Sequence, residues 1–163
     1  MEKEKNSGAR FVEKAAFRGR LCYTVFKSSV PIEEIEDDNL IVNGARLQMA
    51  HLVAGDVTQR SINRISLGTS GVAPTVGDTQ ITDAFIKAVS GFEYPDNGQV
   101  KINWTLLTSE ANRKAIREFG LLTTNGTLFA RRIRKNPIYK ESDISIEGEW
   151  IIIFIRRGST WRF

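Results

Sequence analysis

The sequence has few of the residues on which most catalytic and metal sites depend. Its 163 residues include one cysteine, Cys22, and one histidine, His51. A single cysteine rules out a disulfide within the chain and cannot by itself hold a zinc ion. No glycine pattern matches a phosphate-binding loop, and no serine lies in a G-x-S-x-G context. We therefore expect no catalytic site, no metal and no cofactor.

Two remaining candidates for chemistry have simpler interpretations. His51 lies within an apolar segment of helical character, where a histidine on a helix face is commoner than a general base. The acidic residues of the segment 28–38 lack the alternating spacing and central glycine of a calcium loop. With Pro31 and five acidic side chains, that segment is predicted to be a solvated connector.

Long apolar runs and a strong net charge are also missing. The longest apolar run, residues 150–155, is far too short to cross a bilayer, and the first ten residues are charged without an apolar core. We expect a soluble cytosolic product that does not insert into a membrane. The net charge of +4 arises from 23 basic and 19 acidic residues, so it argues only weakly for a polyanionic partner.

The length and composition suit a single core. With 41% hydrophobic residues, the chain is predicted to form one domain over residues 16–157. Residues 1–15 are polar, with Phe11 and Val12 as the possible anchors, and are predicted to be a flexible N-terminal arm. Residues 158–163 (GSTWRF) are predicted to be a C-terminal extension.

The strongest local signal is a hairpin at Asn125-Gly126. These two residues are expected to take positive φ in a tight turn between antiparallel strands at 115–123 and 128–135. After a loop containing Pro137, the segment 143–157 alternates apolar and polar residues and then becomes apolar on both faces. This change predicts a central strand.

The rest of the chain predicts further strands, one helix and a surface loop. The helix, at about residues 40–54, is expected to pack across the sheet with little exposed surface, and Gly55 follows as a left-handed cap. A glycine-rich and proline-containing loop is expected at 68–79. Alternating patterns predict strands at 17–27, 61–67, 81–94 and 100–106. The count of about seven strands favours a mainly β fold, a two-layer antiparallel β-sandwich with one packed helix and extended termini.

A basic cluster on the second hairpin strand raises the question of nucleic acid. Arg131, Arg132 and Arg134 lie near Phe129 and Tyr139, a combination that can hold a phosphate backbone. However, alternation places Arg131 and Arg132 on opposite faces, so the charges form no single stripe. Arginines on an outer strand also protect against aggregation between sheet edges. The pattern argues against nucleic acid as the partner.

The same cluster and the terminal segments form a candidate self-association surface. An inward-facing arginine and the aromatic residues of 158–163 are residue types that anchor interfaces. The alternative is that this last segment folds onto its own core. The candidate interface residues are Phe11, Val12, Arg131, Arg132, Arg134, Trp161, Arg162 and Phe163.

The order of several motifs resembles a known family. The segment IREFGLLTTNGTLFARR, then Lys140 after a proline-containing loop, then the strand DISIEGEWIIIF, resembles the N-terminal domains of bacteriophage tail fibre and tail-collar proteins. Upstream, NLIVNGARLQMAHLVAGD and ISLGTSGVAPTVGDTQIT are similar to segments of such proteins, so the resemblance spans about residues 17–154. The matching residues are Ile116, Glu118, Phe119, Gly120, Leu121, Gly126, Leu128, Phe129, Ala130, Lys140 and Trp150, with Asn125 in the turn.

The resemblance implies a non-enzymatic structural protein of the virion tail. Such a module attaches a fibre, collar, neck or baseplate element, and its partners would be copies of itself and other tail, fibre or baseplate proteins. A fibre protein would continue into a shaft, whereas this sequence stops at Phe163, which favours an adaptor, neck or baseplate role. Glu118 and Lys140 could pair across the hairpin or between subunits, and a surface salt bridge worth less than about 1 kcal/mol is the simpler interpretation of such a pair. The alternative function is a carbohydrate-binding or nucleic-acid-binding module that uses the loop 68–79 or the basic hairpin.

Overall fold

The computed structural model describes residues 14–157, which form nine strands and one helix. The elements in chain order are β1 (Lys14–Lys27), β2 (Val30–Ile41), α1 (Asn43–Val53), β3 (Ile62–Gly68), β4 (Phe85–Ala88), β5 (Gly91–Glu93), β6 (Gln99–Leu106), β7 (Ala115–Thr123), β8 (Leu128–Tyr139) and β9 (Ile144–Arg157). The predictions for residues 1–13 and 158–163 lie outside the described residues, whereas residues 14 and 15 begin β1.

All nine strands belong to one antiparallel sheet. Their order across the sheet is β4-β3-β7-β8-β2-β1-β9-β6-β5. β9 lies between β1 and β6, so the prediction of a central strand at 143–157 is confirmed. The mainly β character with one helix is confirmed as well. None of the helical structure in residues 14–157 has the length and apolar character needed to cross a bilayer.

The sheet curls so strongly that its inner face packs against itself. Tyr23 on β1 lies 4.8 Å from Phe119 on β7, measured between ring centroids, although a flat sheet would separate these strands by about 14 Å. Trp104 on β6 lies 6.0 Å from the same ring. A continuous curled sheet is therefore present, and the prediction of two separate layers is not confirmed.

The two ends of the strand order meet through residues 89 and 90. Val89 follows β4, and its N–H donates to the carbonyl oxygen of Asn63 on β3. Ser90 precedes β5, and its N–H donates to the carbonyl oxygen of Asn103 on β6. The segment 81–94, predicted to be one strand, is therefore divided into β4 and β5. The division arises because the chain changes its pairing partner from β3 to β6 at this corner.

The prediction that the acidic segment 28–38 is a solvated connector is wrong, because most of this segment belongs to β2. Its carboxylates face arginines on both neighbouring strands. On β1, Arg18 pairs with Asp38 and Arg20 pairs with Glu36. These cross-strand ion pairs, together with those to β8, offset the low strand propensity of the acidic residues.

The helix α1 is shorter and more exposed than predicted. It begins at Asn43 because Leu40 and Ile41 still pair with β8, as the last residues of β2. Its fully buried residues are Ala45 and Gln48, while the Leu47 and Val53 side chains are 56% and 83% exposed. The predicted left-handed cap is confirmed, since Gly55 has a φ of 84°.

The hairpin is confirmed, but its turn differs from the prediction. β7 ends at Thr123 and β8 begins at Leu128, and Gly126 has a φ of 84° whereas Asn125 is not among the residues with positive φ. The Asn125 side-chain oxygen accepts the Thr127 N–H. These features are typical of a longer loop that ends in a left-handed glycine. β8 also runs through Pro137, which lies where the pairing with β7 shifts register.

Candidate functional site

Glu118 on β7 is fully buried and holds the long loop of residues 69–84 against the sheet. Its Oε1 accepts hydrogen bonds from the Ser70 N–H at 3.2 Å and the Thr82 N–H at 2.9 Å. Gly68 at the end of β3 leaves room for this carboxylate, because a Cβ atom on Gly68 would lie 2.5 Å from Glu118 Oε1.

Arg131 on β8 links Glu118 to the middle of that loop. Its Nε donates to Glu118 Oε2 at 2.8 Å, and its Nη1 donates to Asp78 Oδ2 at 2.8 Å. Its side chain is 5% exposed, so two carboxylates compensate one buried guanidinium. We call Glu118, Arg131 and Asp78 the loop clamp.

Asp78 is held in its charged form by the same contacts. Burial raises the pKa of its carboxyl, but hydrogen bonds from Thr75 and from the Arg131 guanidinium outweigh this effect. The pKa of Asp78 therefore lies below its ordinary value. The negative charge needed for the ion pair persists into mildly acidic solution.

Lys140 is a second buried charge, and it has no contact with Glu118. Its Nζ donates to the Thr108 carbonyl oxygen at 3.1 Å, to Asn112 Oδ1 at 2.8 Å and to the Glu141 carbonyl oxygen at 3.0 Å. Burial lowers the pKa of this amine. The prediction that Glu118 pairs with Lys140 is wrong within the chain, because each side chain binds a different loop.

The other arginines of the basic cluster are also paired. Arg132 contacts Asp37 at 3.1 Å, while Arg134 contacts Glu33 at 3.0 Å and donates to the Tyr23 hydroxyl at 2.8 Å. Arg131 and Arg132 lie opposite Gly120 and Phe119 on β7, so they face opposite sides of the sheet as predicted. The cluster therefore compensates the acids of β2 and of the loop clamp.

The remaining motif residues support close packing. The Trp150 indole is fully buried and donates its N–H to Asn39 Oδ1 at 2.8 Å. A Cβ atom on Gly120 would lie 2.7 Å from Ile81, so this glycine lets the loop 69–84 approach β7. The predicted motif residues thus build the frame of the fold.

An apolar pocket of about 720 Å³ opens at one end of the curled sheet. Residues from α1, β3, β5, β6, β8 and β9 line it, and we call it the mouth pocket. Three aromatic side chains at its rim are exposed: Phe92 by 62%, Tyr94 by 75% and Phe154 by 43%. The Phe92 and Tyr94 rings meet edge to face at 5.7 Å.

Two residues that line the mouth pocket, Asn63 and Asp96, carry acceptor oxygens with spare hydrogen-bonding capacity. Asn63 lines the pocket, and its Oδ1 is buried without a hydrogen-bond partner within residues 14–157. The exposed Asp96 carboxylate accepts the Asn97 N–H at 2.7 Å and makes no ion pair with another described residue. The pocket therefore suits a group that has an apolar body and hydrogen-bond donors.

The mouth pocket was not predicted from the sequence. Its walls come from elements far apart in the chain, and the one available signal was the spacing of Phe92 and Tyr94, which places both side chains on the same face of a strand. The candidate interface residues Phe11, Val12, Trp161, Arg162 and Phe163 lie outside the described residues.

The described part of the chain contains no cluster of three histidine, cysteine or acidic residues that could hold a metal ion. His51 contacts Asp56 at 2.8 Å on the exposed side of α1. No protein-family model matches this sequence, and neither a curated protein nor a solved structure matches the chain.

Proposed function

We propose that this chain is a non-enzymatic structural component of a bacteriophage tail, an adaptor at the fibre base, collar, neck or baseplate. It acts through contacts with copies of itself and with other tail proteins. One observation carries the proposal: the residues of the family resemblance build a rigid frame, while exposed aromatic side chains gather at the mouth pocket.

The frame suits a subunit whose loops must keep a fixed position. Glu118 and Arg131 hold one long loop, and Lys140 holds the turn that precedes β7. Both arrangements satisfy buried charges with several hydrogen bonds, which rigidifies the surrounding backbone. Residues of the resemblance therefore have structural roles, as an assembly module requires.

The exposed aromatic rim supports a contact function. Contiguous exposed apolar surface on a soluble protein commonly marks a site of protein association. Phe92, Tyr94 and Phe154 are of the residue types that contribute most to binding energy when a partner buries them. The mouth pocket is therefore the proposed contact surface.

Within this proposal the curled sheet works as a β-sandwich. One layer comprises β2-β1-β9-β6-β5 and the other β4-β3-β7-β8, with the aromatic contacts of Tyr23 and Phe119 between them. Only two residue pairs join β2 to β8. A sandwich of this kind presents its loops and its mouth at the ends of the layers.

Two measurements test the proposal. Light scattering over a concentration series should give a stable trimer or hexamer. Gold-labelled antibody against the chain should bind the tails of phage particles purified from a host that carries the gene for this chain. Particles that lack the chain would contradict a role in the virion.

A carbohydrate-binding module is the second candidate. The pairing of exposed Phe92 and Tyr94 with Asp96 and Asn97 favours it, because aromatic faces and acceptor side chains are suited to sugar rings and hydroxyl groups. Calorimetric titration with a panel of saccharides tests it, with Tyr94→Ala as the pocket variant. Nucleic-acid binding has weaker support, since Arg131, Arg132 and Arg134 have acidic partners within the chain.

A further inference from the structure

We infer that the mouth pocket receives residues 158–163 of a second copy of this chain, so that copies associate head to tail. The inference rests on the proposed assembly function and names the partner of its contact surface. Three features of the pocket and its surroundings carry the inference: its chemistry, its match to that segment and the course of β9.

The chemistry of the pocket selects an aromatic group with a donor and a nearby cation. Its volume of about 720 Å³ admits aromatic side chains, and its walls are apolar. Asn63 lines the pocket and its Oδ1 has no partner within residues 14–157, so an occupant with a hydrogen-bond donor can satisfy it once the amide turns toward the cavity. The Asp96 carboxylate at the rim adds an attraction for positive charge.

The segment 158–163 has the matching chemistry. Its sequence, GSTWRF, contains an indole with one N–H donor at Trp161, a guanidinium at Arg162 and a second aromatic ring at Phe163. The indole can fill the apolar pocket and donate to Asn63 Oδ1. The adjacent arginine then lies within reach of Asp96.

The course of β9 favours a second copy as the source. β9 borders the pocket at Phe154, whose N–H donates to the Gly98 carbonyl oxygen, and continues to Arg157 beside Lys14 of β1. Three extended residues carry the chain about 10 Å past the pocket. A chain that continues from Arg157 in the direction of β9 moves further from the pocket, so the segment would have to reverse to reach the pocket of its own molecule. A segment from a neighbouring molecule reaches the pocket without that reversal.

A contact of this kind joins two different surfaces, the pocket of one copy and the segment of the next. Such heterologous contacts close into rings or extend into filaments. The association therefore leaves one pocket and one segment free at the ends of any open assembly. This property makes the proposal testable by mixing variants.

The first experiment is sedimentation analysis of the full chain over a concentration series. The pocket variant carries Phe92→Ala and Tyr94→Ala, and the segment variant carries Trp161→Ala. Each should weaken association by at least about tenfold, as expected for the loss of an interface anchor. The control Val53→Ala removes an exposed apolar side chain outside the pocket and should change association by less than about twofold.

The second experiment mixes the two variants. The segment variant has an intact pocket, and the pocket variant has an intact segment, so the mixture should form a one-to-one complex that neither variant forms alone. Docking of the segment into its own molecule predicts no complex on mixing and would overturn the inference. Circular dichroism of each variant confirms that the fold is retained.

The outcomes separate this inference from the proposed function. An oligomer whose mass is the same in both variants overturns the inference and leaves the assembly function in place. A wild-type chain that is monomeric at every concentration also overturns it. The proposed function then depends on the labelling of tails in purified particles.

Discussion

Replacing Glu118 with glutamine tests whether the loop clamp stabilises the fold. Glutamine has the same shape, and its amide oxygen can still accept the Ser70 and Thr82 N–H groups. The amide nitrogen, however, replaces the Oε2 atom that accepts from Arg131 Nε at 2.8 Å. Two donors then face each other in a site where Glu118 has no solvent exposure.

The expected loss of stability follows from the burial of the pair. Removing one partner of a buried ion pair costs about 3–5 kcal/mol, because the other charge remains without compensation. Arg131 keeps its contact with Asp78, so we expect the lower end, about 3 kcal/mol. With a urea slope of about 2 kcal/mol per molar, the unfolding midpoint should fall by about 1.5 M.

The assay is equilibrium unfolding in urea, monitored by the fluorescence of the buried Trp104 and Trp150. The matched control is Glu34→Gln on the exposed side of β2, which should change the unfolding free energy by less than about 0.5 kcal/mol. A Glu118→Gln loss no larger than that of the control would refute the structural role of the clamp. The double variant with Glu118→Gln and Arg131→Met should lose at least about 1 kcal/mol less unfolding free energy than the sum of the two single-variant losses.

Three further predictions use the same unfolding assay. Lys140→Met removes the three hydrogen bonds of a buried amine and should cost about 1–3 kcal/mol, whereas the exposed Lys135→Met should cost less than about 0.5 kcal/mol. Gly148→Ala places a Cβ atom 2.2 Å from a buried tryptophan ring and should cost about 1–3 kcal/mol, while Gly77→Ala meets no neighbour and should be close to neutral. The folded-state pKa of Asp78 lies below the ordinary 3.8, so its charge stabilises the fold above that pH and the contribution is lost as the pH falls through the folded-state pKa. The difference in unfolding free energy between wild type and Asp78→Asn should therefore be large at neutral pH and shrink in strong acid; a difference that is the same at both would contradict this account.

Local sequence patterns were sufficient to predict those elements in which neighbouring residues directly determine the backbone geometry. The limits of β7, the central strand β9 and the left-handed glycine after α1 all follow from alternation, turn residues and capping preferences. β6 follows in the same way, because its buried residues alternate with half-exposed ones. These features depend on neighbours within a few positions along the chain.

Local patterns failed where a distant partner decides the outcome. The acids of β2 indicate a solvated connector in isolation, but the segment pairs with β1 along most of its length, and the arginines of β1 and β8 compensate its charges. The apolar residues of α1 predict little exposed surface, yet the helix is buried on one face only, at Ala45 and Gln48, and leaves Leu47 and Val53 exposed. Strand propensity and helix amphipathicity are weak preferences that tertiary contacts override.

The candidate site likewise combines features that local sequence predicts with features that it does not predict. Local sequence patterns predict the hairpin and mark Glu118, Arg131, Lys140 and Trp150 as residues of interest. Contacts between distant strands determine that Glu118 binds Arg131 and a loop some 40 residues upstream, rather than Lys140. The mouth pocket also exists only in the folded chain, because six elements must meet before Asn63 and the aromatic rim share one cavity. Hydrogen-bond partners and cavities depend on which strands pair and how far the sheet curls, and those contacts join residues far apart in the sequence.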